Sequence, residues 1–320
     1  MTTSSREPSK GSRTLPGGRW RSRLGDAALV ISTGAATLLV LLILAILVVD
    51  VIRGGSARLS WTFLTKAPSE GMTAGGVFPA IFGTVAMVIL MTIAVVPAGV
   101  ATAIYLHEYA DRQAPLTRII RIAVNNLAGV PSIVFGLFGL GFFIQFVGGG
   151  IDKVFFSGNR VLGQPALIWA SLTMAVLTLP VVIVATEEAL RAVPRELREA
   201  SLALGATKFQ TVLNVVLPQA TPGILTGTIL AISRGAGEVA PILFTGAAYY
   251  LPQLPWHPNN QFMHLGYHVY VLATQSPDVD AAKPILYSTV LVLLAVTFVL
   301  NLSAFVVRSR MRHRFAGASV

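Results

Sequence analysis

An arginine and a glutamate interrupt an apolar stretch that is long enough to cross a membrane. Arg234 and Glu238 are four residues apart in the predicted span 219–244, so they share one helical face. Counted from Gln219 at 1.5 Å per residue, Arg234 lies about 22 Å along the helix, beyond the midplane of a core about 30 Å thick. A charge at that depth costs at least about 2.5–3.5 kcal/mol and usually faces a bundle interior or a wet cavity.

Two interpretations of this pair are open. A guanidinium presents paired donors that match two oxygens of an oxyanion such as phosphate, and it stays charged at ordinary pH. In the first interpretation Arg234 meets an anion on its way through the membrane. Glu238 then holds the arginine and moderates its attraction, because conduction needs weak binding as well as entry. In the second interpretation the pair is structural and fixes helix packing.

A second group of residues predicts a docking helix in the polar connection 186–218. Pro194 suits the first turn of a helix and Gly205 suits the left-handed position after its end, so we predict a helix over Arg195–Leu204. An apolar stripe follows the spacing i, i+3, i+4 and i+7 through Leu197, Ala200, Ser201 and Leu204. A helix this short is marginal alone in water. It either docks into a partner's groove or lies on the bilayer or on neighbouring loops.

The composition requires a membrane around these residues. Of the 320 residues, 54% are hydrophobic and 12% are charged, against about 25% charged in soluble domains. The net charge of +10 comes mostly from basic residues at the ends of apolar segments, which indicates orientation in a membrane rather than nucleic-acid binding. The chain has no cysteine, so disulfides, thiol catalysis and cysteine-bound metals are excluded.

Apolar runs predict an all-α integral membrane protein with six transmembrane helices. The first helix occupies residues 25–50, with its apolar core at 27–49, and it is predicted to be retained rather than cleaved as a signal peptide. The other five predicted spans are 77–106, 124–147, 166–185, 219–244 and 284–307. The polar loop 246–283 is expected to contain a short re-entrant or surface helix.

The distribution of basic residues predicts the orientation of these spans. One set of connections, together with both termini, carries 17 of the 24 Lys and Arg residues, and the opposite loops carry 6. Positively charged segments stay cytoplasmic, so we expect a multi-pass protein of the cytoplasmic (inner) cell membrane with both termini inside. Residues 1–24 are rich in Ser, Gly, Pro and Arg, which predicts a disordered basic cytoplasmic tail.

The connection 186–218 resembles a known family motif. Glu199-Ala200-Ser201 is followed after three residues by Gly205, and after nine more by Val215-Val216-Leu217-Pro218. This is similar to the EAA loop of ABC importer permeases, whose pattern is E-A-A, three residues, G, nine residues, I-x-L-P. Ser201 and Val215 depart mildly from it. In that family the short helix of the loop fits a cleft in the ATPase subunit. The resemblance implies coupling roles for Glu199, Ala200, Ser201, Gly205, Leu217 and Pro218.

Three longer segments resemble one subgroup of that family, the PstA-type phosphate permeases. They are Gly75–Ala110, Asn126–Phe143 and Ile232–Gly246. The resemblance implies a type I importer permease core of the MetI-like kind over residues 75–312, with one extra N-terminal helix. It also implies that Arg234 and Glu238 belong to the substrate pathway.

The same resemblance implies the partners and the reaction. These are a second homologous permease subunit, two cytoplasmic ATPase subunits, an extracytoplasmic phosphate-binding protein and membrane lipid, with no nucleic acid. ATP and Mg are expected in the partner ATPase and no cofactor in this chain, because the sequence has neither a G-x-x-x-x-G-K-[ST] loop nor an H-E-x-x-H motif. The chain itself is therefore not expected to be an enzyme. Two alternatives remain open: a permease for sulfate, molybdate or phosphonate, or a carrier or channel that works without ATP.

Overall fold

The computed structural model describes residues 18–316, except 70, 71, 73, 112, 277 and 278. The chain divides after Val51 into two units. The described part of the first unit is one apolar helix, and its side chains from residue 26 to residue 50 are exposed. Residues 18–24, which the sequence assigned to a disordered tail, are helical. The rest of that tail lies outside the described residues.

The described chain is almost entirely helical. Its longer helices are α1 (Gly18–Gly55), α3 (Phe78–Ile104), α4 (Pro115–Leu127), α7 (Leu167–Ala192), α10 (Leu217–Gly237), α12 (Leu265–Thr274) and α13 (Val279–Ala316). Its shorter helices are α2 (Trp61–Thr65), α5 (Ser132–Phe138), α6 (Gly149–Phe155), α8 (Arg195–Ala203), α9 (Lys208–Thr211) and α11 (Ile242–Thr245). Wider π-helical turns extend or join them at Tyr105–Tyr109, Gly139–Gly148 and Val212–Val216, and a 3₁₀ turn lies at Ser56–Arg58. Two short antiparallel strands, β1 (Pro68–Ser69) and β2 (Ala74–Gly75), pair Pro68 with Gly75.

Six helical segments among the described residues are long and apolar enough to cross a membrane, which confirms the predicted fold class. They are Asp26–Arg58, Phe78–Tyr109, Ser132–Phe155, Leu167–Ala192, Lys208–Gly237 and Asp280–Arg310. Their order along the chain matches the six predicted spans, although several boundaries differ.

The third span begins later than the sequence suggested. The predicted span 124–147 starts inside α4, a separate helix that ends at Leu127, and the spanning segment begins only at Ser132. Pro131 explains the break, because it disfavours helical backbone at the residue before it and lacks an N–H. The segment then continues to Phe155 through the π-helical turn and α6.

The fourth span is longer than predicted. The helix α7 continues past Ala185 to Ala192, so the first seven residues of the predicted loop 186–218 are helical. In these added turns Glu187 pairs with Arg121 of α4, with 3.0 Å between Oε2 and Nη1. The connection that carries the EAA-like motif therefore starts at Val193, which is buried, and is exposed from Pro194.

The helix α7 is the centre of the second unit, with α3 and α10 packed against it. Met87 and Met91 of α3 and Met174 of α7 are fully buried in the shared core. Small residues let α10 approach α7 closely, with Gly223 against Ala189 and Gly227 against Ala185. In a bilayer such close packing replaces the hydrophobic effect as the source of helix association.

The two ends of α7 define two faces of the bundle. The face that carries α8, called here the α8 end, follows the last turn of α7. The opposite face, called the loop end, carries residues 246–276 of the long connection that follows α11. There, backbone carbonyls of Thr245 and Asn260 accept hydrogen bonds from the N–H groups of Ala166 and Leu167 at 3.0 and 2.9 Å. These bonds satisfy donors that a helix start leaves without intrahelical partners.

The loop end is more deeply packed than a surface loop. Its short helix α12 confirms the expectation that the loop holds one. Phe262, Met263, His264 and Leu265 are almost completely buried, and the Leu265 N–H donates to Thr84 Oγ1 of α3 at 2.9 Å. Burial lowers the pKa of His264 to about 3 and that of His268 to about 4, so both rings are neutral at ordinary pH.

Candidate substrate pathway and coupling surface

The helix that carries Arg234 breaks partway along its predicted path. The sequence predicted a continuous span 219–244, whereas α10 ends at Gly237 and Glu238 has extended backbone (φ −78°, ψ 136°). Pro241 explains the break, because it has no N–H to donate to the carbonyl of Gly237, four residues earlier. Glycines at 235 and 237 weaken the last turn further.

The break lies near the middle of the bundle rather than at its surface. Gly235 packs so closely on Met91 that a Cβ there would press into the methionine sulfur. Met91 is at the centre of the 27-residue helix α3, so Gly235 and the neighbouring Arg234 lie beside the middle of that helix rather than beside either end. After the break the chain still has to reach Thr245, which bonds to the start of α7 at the loop end. Broken helices at this depth are tolerated where they line a protein interior or a cavity.

Arg234 and Glu238 form the pair that their spacing predicted, but the contact is loose. Arg234 Nε and Glu238 Oε1 are 3.5 Å apart, and the two side chains are 37% and 24% exposed. Within the described residues this is the one side-chain hydrogen bond recorded for Arg234, whereas a guanidinium has five N–H donors. The exposed remainder of the guanidinium is therefore available to an anion or to another subunit.

The position of Arg234 in its helix also suits an arginine. It lies in the last turn of α10, where the carbonyl groups give the helix end a partial negative charge. A cation there is stabilised, and an anion approaching the break would be repelled without it. Arg234 therefore offsets the partial negative charge of the helix end at the break.

The motif residues at the α8 end form an exposed surface. The helix α8 contains no buried residue, and Leu204 directly after it is 90% exposed. Leu197 and Leu202 are also exposed. An apolar stripe left open on a helix of nine residues fits a partner groove better than free solvent. The observed helix ends at Ala203, one residue before the end of the predicted helix Arg195–Leu204. Pro194 precedes its first turn as the N-cap.

Gly205 ends α8 in the conformation that its sequence position predicted. Its φ is +83°, a left-handed backbone angle that side chains with a Cβ adopt at a cost. A Cβ at Gly205 would meet nothing within 4 Å, so within this chain the requirement for glycine comes from the backbone angle and not from crowding.

The other motif residues lie on α8 and at the start of α10. Ser201, which departs from the family pattern, places its Oγ 2.9 Å from Thr211 Oγ1 of α9. At the end of the motif, Leu217 begins α10 and Pro218 follows in its first turn, where a missing N–H costs little. Glu199 and Ala200 are exposed on α8.

The structure does not bring the two groups of residues together. Arg234 and Glu238 lie at the mid-span break, whereas Glu199, Ala200, Ser201 and Gly205 lie at the α8 end. The sequence argument also missed a polar network beside α8, in which Glu108 and Arg198 are paired. No local spacing in the sequence joins Glu108 to a partner 90 residues away. Among the described residues, no group of three or more potential metal ligands is found.

These features define a class: a helical membrane protein with a charged pair at a mid-span helix break and an exposed short helix at one end. A sequence profile of the family described as "Binding-protein-dependent transport system inner membrane component" matches residues 95–313. The chain belongs to this family, and it is a multi-pass inner-membrane permease component.

Individual relatives agree with this assignment. The chain is 34% identical to the "Probable ABC transporter permease protein YqgI" of Bacillus subtilis, over 78% of this chain and 86% of that protein. It is also 34% identical to the "Phosphate transport system permease protein PstA 1" of Mycobacterium tuberculosis, over 78% of this chain and 75% of that protein. The resemblance to PstA-type permeases is thereby confirmed.

Solved structures share the fold. A chain of a bacterial ABC transporter involved in alginate import matches with a TM-score of 0.65 at 16% identity, over 91% of this chain and 98% of that chain. A chain of the inward-facing MetNI methionine ABC transporter matches with a TM-score of 0.54 at 19% identity, over 72% and 94%. At these identities the likeness shows the fold alone, and it confirms the expected MetI-like permease architecture.

Proposed function

We propose that this chain is a permease subunit of an ATP-driven importer that moves inorganic phosphate across the cytoplasmic membrane into the cell. The observation that carries the proposal is Arg234, a cation with free donors at a mid-span helix break in a permease of this family. Relatives named as phosphate permeases support the choice of cargo. A guanidinium matches two oxygens of a phosphate, and its loose pairing with Glu238 leaves those donors free.

The proposed complex has several chains. A second homologous permease subunit completes the path at the exposed side of Arg234, and an extracytoplasmic phosphate-binding protein delivers the anion. Two cytoplasmic ATPase subunits bind and hydrolyse ATP with Mg, and each receives a short helix such as α8 in its cleft. The stripe residues Leu197, Ala200 and Leu204 are exposed, which supports this docking.

The proposed mechanism follows from these positions. Closure of the ATPases displaces α8 and the spans attached to it, and the path through the break opens alternately to each side. The phosphate oxygens accept hydrogen bonds from Arg234 as the anion passes. Glu238 keeps this attraction weak enough for release. The α8 end and both termini are placed in the cytoplasm because the segments predicted on that side carry 17 of the 24 Lys and Arg residues.

The decisive experiment is reconstitution of the chain in proteoliposomes with its candidate partners, followed by measurement of labelled phosphate uptake with and without ATP. ATP-dependent uptake is expected. Competition by equal concentrations of sulfate, molybdate and phosphonate identifies the preferred anion, and stronger competition by one of them would assign that cargo instead. Phosphate movement at the same rate without nucleotide would overturn the ABC mechanism. Labelling near Ala200 from outside intact cells would overturn the orientation.

A further inference from the structure

Arg198 joins the exposed helix α8 to the rest of the bundle. Although it lies on α8, its side chain is only 17% exposed. The guanidinium reaches two other helices at once. One nitrogen, Nη2, donates to Glu108 Oε1 at 3.1 Å and to the Leu190 carbonyl at 2.7 Å. The other, Nη1, donates to the Val193 carbonyl at 2.6 Å.

The carbonyl acceptors belong to the last turn of α7 and the residue after it. The final carbonyls of a helix have no intrahelical donors and carry a partial negative charge. A cation that caps them satisfies both requirements. Leu190 and Val193 are themselves buried in the core cluster at the α8 end, so the groups that Arg198 contacts belong to the packed interior.

The carboxylate acceptor belongs to the second span. Glu108 lies in the π-helical turn Tyr105–Tyr109 that continues α3, and its side chain is 10% exposed. At this burial the ion pair is poorly screened, and removing one partner leaves the other charge without compensation. Arg198 and Glu108 therefore hold α8 to the ends of both α3 and α7.

A second arginine repeats this arrangement one helix away. Arg121 of α4 donates to Glu187 Oε2 of α7 at 3.0 Å and to the Leu106 carbonyl at 2.8 Å. Two guanidinium groups thus connect α3, α4, α7 and α8, and each is bound to a carboxylate and to at least one backbone carbonyl oxygen. Packed elements linked in this way move together rather than separately.

We infer that Arg198, with Glu108 as its charge partner, is the positioning link that carries a displacement of α8 to the ends of the second and fourth spans. This inference rests on the proposed function, in which α8 receives the motion of an ATPase subunit. Ser201 and Thr211 connect α8 to the fifth span by a weaker contact between neutral hydroxyl groups. Of these two side-chain contacts, the charge-assisted one is the stronger.

The test measures phosphate moved per ATP hydrolysed in the complete reconstituted complex. Glu108→Gln keeps the shape of the side chain and removes its charge, and Arg198→Gln removes the forked donor. Glu188→Gln and Arg118→Gln are matched controls, since both side chains are exposed at the same end of the bundle. We expect each test variant to lower the transport-to-hydrolysis ratio by at least about fivefold, the effect of losing one charge-assisted hydrogen bond, while the controls stay within about twofold of wild type.

A distance measurement separates coupling from simple loss of structure. Because the chain has no cysteine, spin labels can be attached at introduced cysteines without background. One pair, Ala203→Cys with Gln253→Cys, reports α8 against the loop end. A second pair, Ala192→Cys with Gln253→Cys, reports the end of α7 against the same reference. In the otherwise unchanged complex, nucleotide binding is expected to shift both distances.

The variant Glu108→Gln tests whether the displacement of α8 reaches α7. With Glu108→Gln, the α8 distance is expected to shift on nucleotide binding while the α7 distance does not. If both distances still shift, or if the transport-to-hydrolysis ratio of both test variants equals that of the controls, the inference is wrong. The distance measurement involves no transported anion, so a wrong cargo assignment would appear in the uptake assay and leave this result intact.

Discussion

Arg198 and Arg234 are both arginines, but they lie in two regions of the molecule and differ in exposure and in hydrogen bonding. At the α8 end, Arg198 is mostly buried and donates to a carboxylate and several backbone carbonyls. At the mid-span break, Arg234 is more exposed and its recorded pairing is one 3.5 Å contact with Glu238. An arginine whose donors are occupied fixes the positions of its neighbours. An arginine whose donors are open is suited to bind something that comes and goes.

The largest expected effect comes from removing the open arginine. Arg234→Gln should lower phosphate uptake at least about 100-fold, because two charge-assisted hydrogen bonds to the passing anion are lost. Arg234→Lys should retain a small part of the uptake, since it keeps the charge but not the fork. Uptake of labelled phosphate in transporter-null cells measures both.

Arg160→Gln is the control for this change, since it removes an exposed arginine that has no place in the proposed path. Membrane insertion of all three variants is compared on blots. Wild-type uptake by Arg234→Gln would contradict an anion-binding role for Arg234. The pair with Glu238 would then be structural, as Arg198 and its partners are.

The next effect concerns the helix that Arg198 anchors. Gly205→Val should reduce the transport-to-hydrolysis ratio by about tenfold, because a β-branched residue at φ +83° costs at least about 1–2 kcal/mol and displaces the end of α8. Gly205→Asn is the matched control, since asparagine tolerates left-handed backbone. Equal losses in both variants would assign the effect to the partner's cleft instead of the helix end.

A smaller effect tests why the open arginine is paired at all. Glu238→Gln leaves Arg234 charged and removes its counter-charge, so the anion should bind more tightly and leave more slowly. We expect KM and kcat for uptake to fall together, each by about three- to tenfold. This size corresponds to the loss of a weak, partly exposed ion pair. Unchanged values of both constants would contradict a moderating role for Glu238.

The last effect concerns stability rather than transport, and it extends the comparison from permanent charges to titratable groups at the loop end. His264 and His268 have pKa values lowered to about 3 and about 4, below the ordinary 6.5. Between these values and 6.5 the unfolded chain binds more protons than the folded one, so stability is lost as pH falls through this window. At pH 5 the loss is about 2 kcal/mol per histidine.

Thermal unfolding in detergent at pH 7.5 and pH 5.0 measures this loss. His268→Gln, which cannot titrate, should show a pH-dependent shift in Tm about half that of wild type. His257→Gln changes an exposed histidine and serves as the control. A variant His268→Gln with the full wild-type shift would show that this burial has no consequence for stability.

The comparison with the sequence separates local features from contacts made across the fold. Amino-acid order predicted the membrane class, the number of spans, the i, i+4 pair, the end of α8 at Gly205 and the EAA-like spacing. Each of these depends on residues close together in the chain, on the average polarity of a segment or, for the EAA-like motif, on a fixed spacing within one loop. Such properties can be inferred from the sequence alone.

Tertiary structure alone decided where these features lie and what they contact. The break at Glu238 replaced a continuous span, and its depth became clear only from the packing of Gly235 on Met91. The Arg198–Glu108 pair joins residues 90 positions apart, and the extension of α7 depends on contacts with α4. The packing of helices sets the distance between residues that are far apart in the chain. Helix periodicity does not predict this distance, because it depends only on residues within one helix.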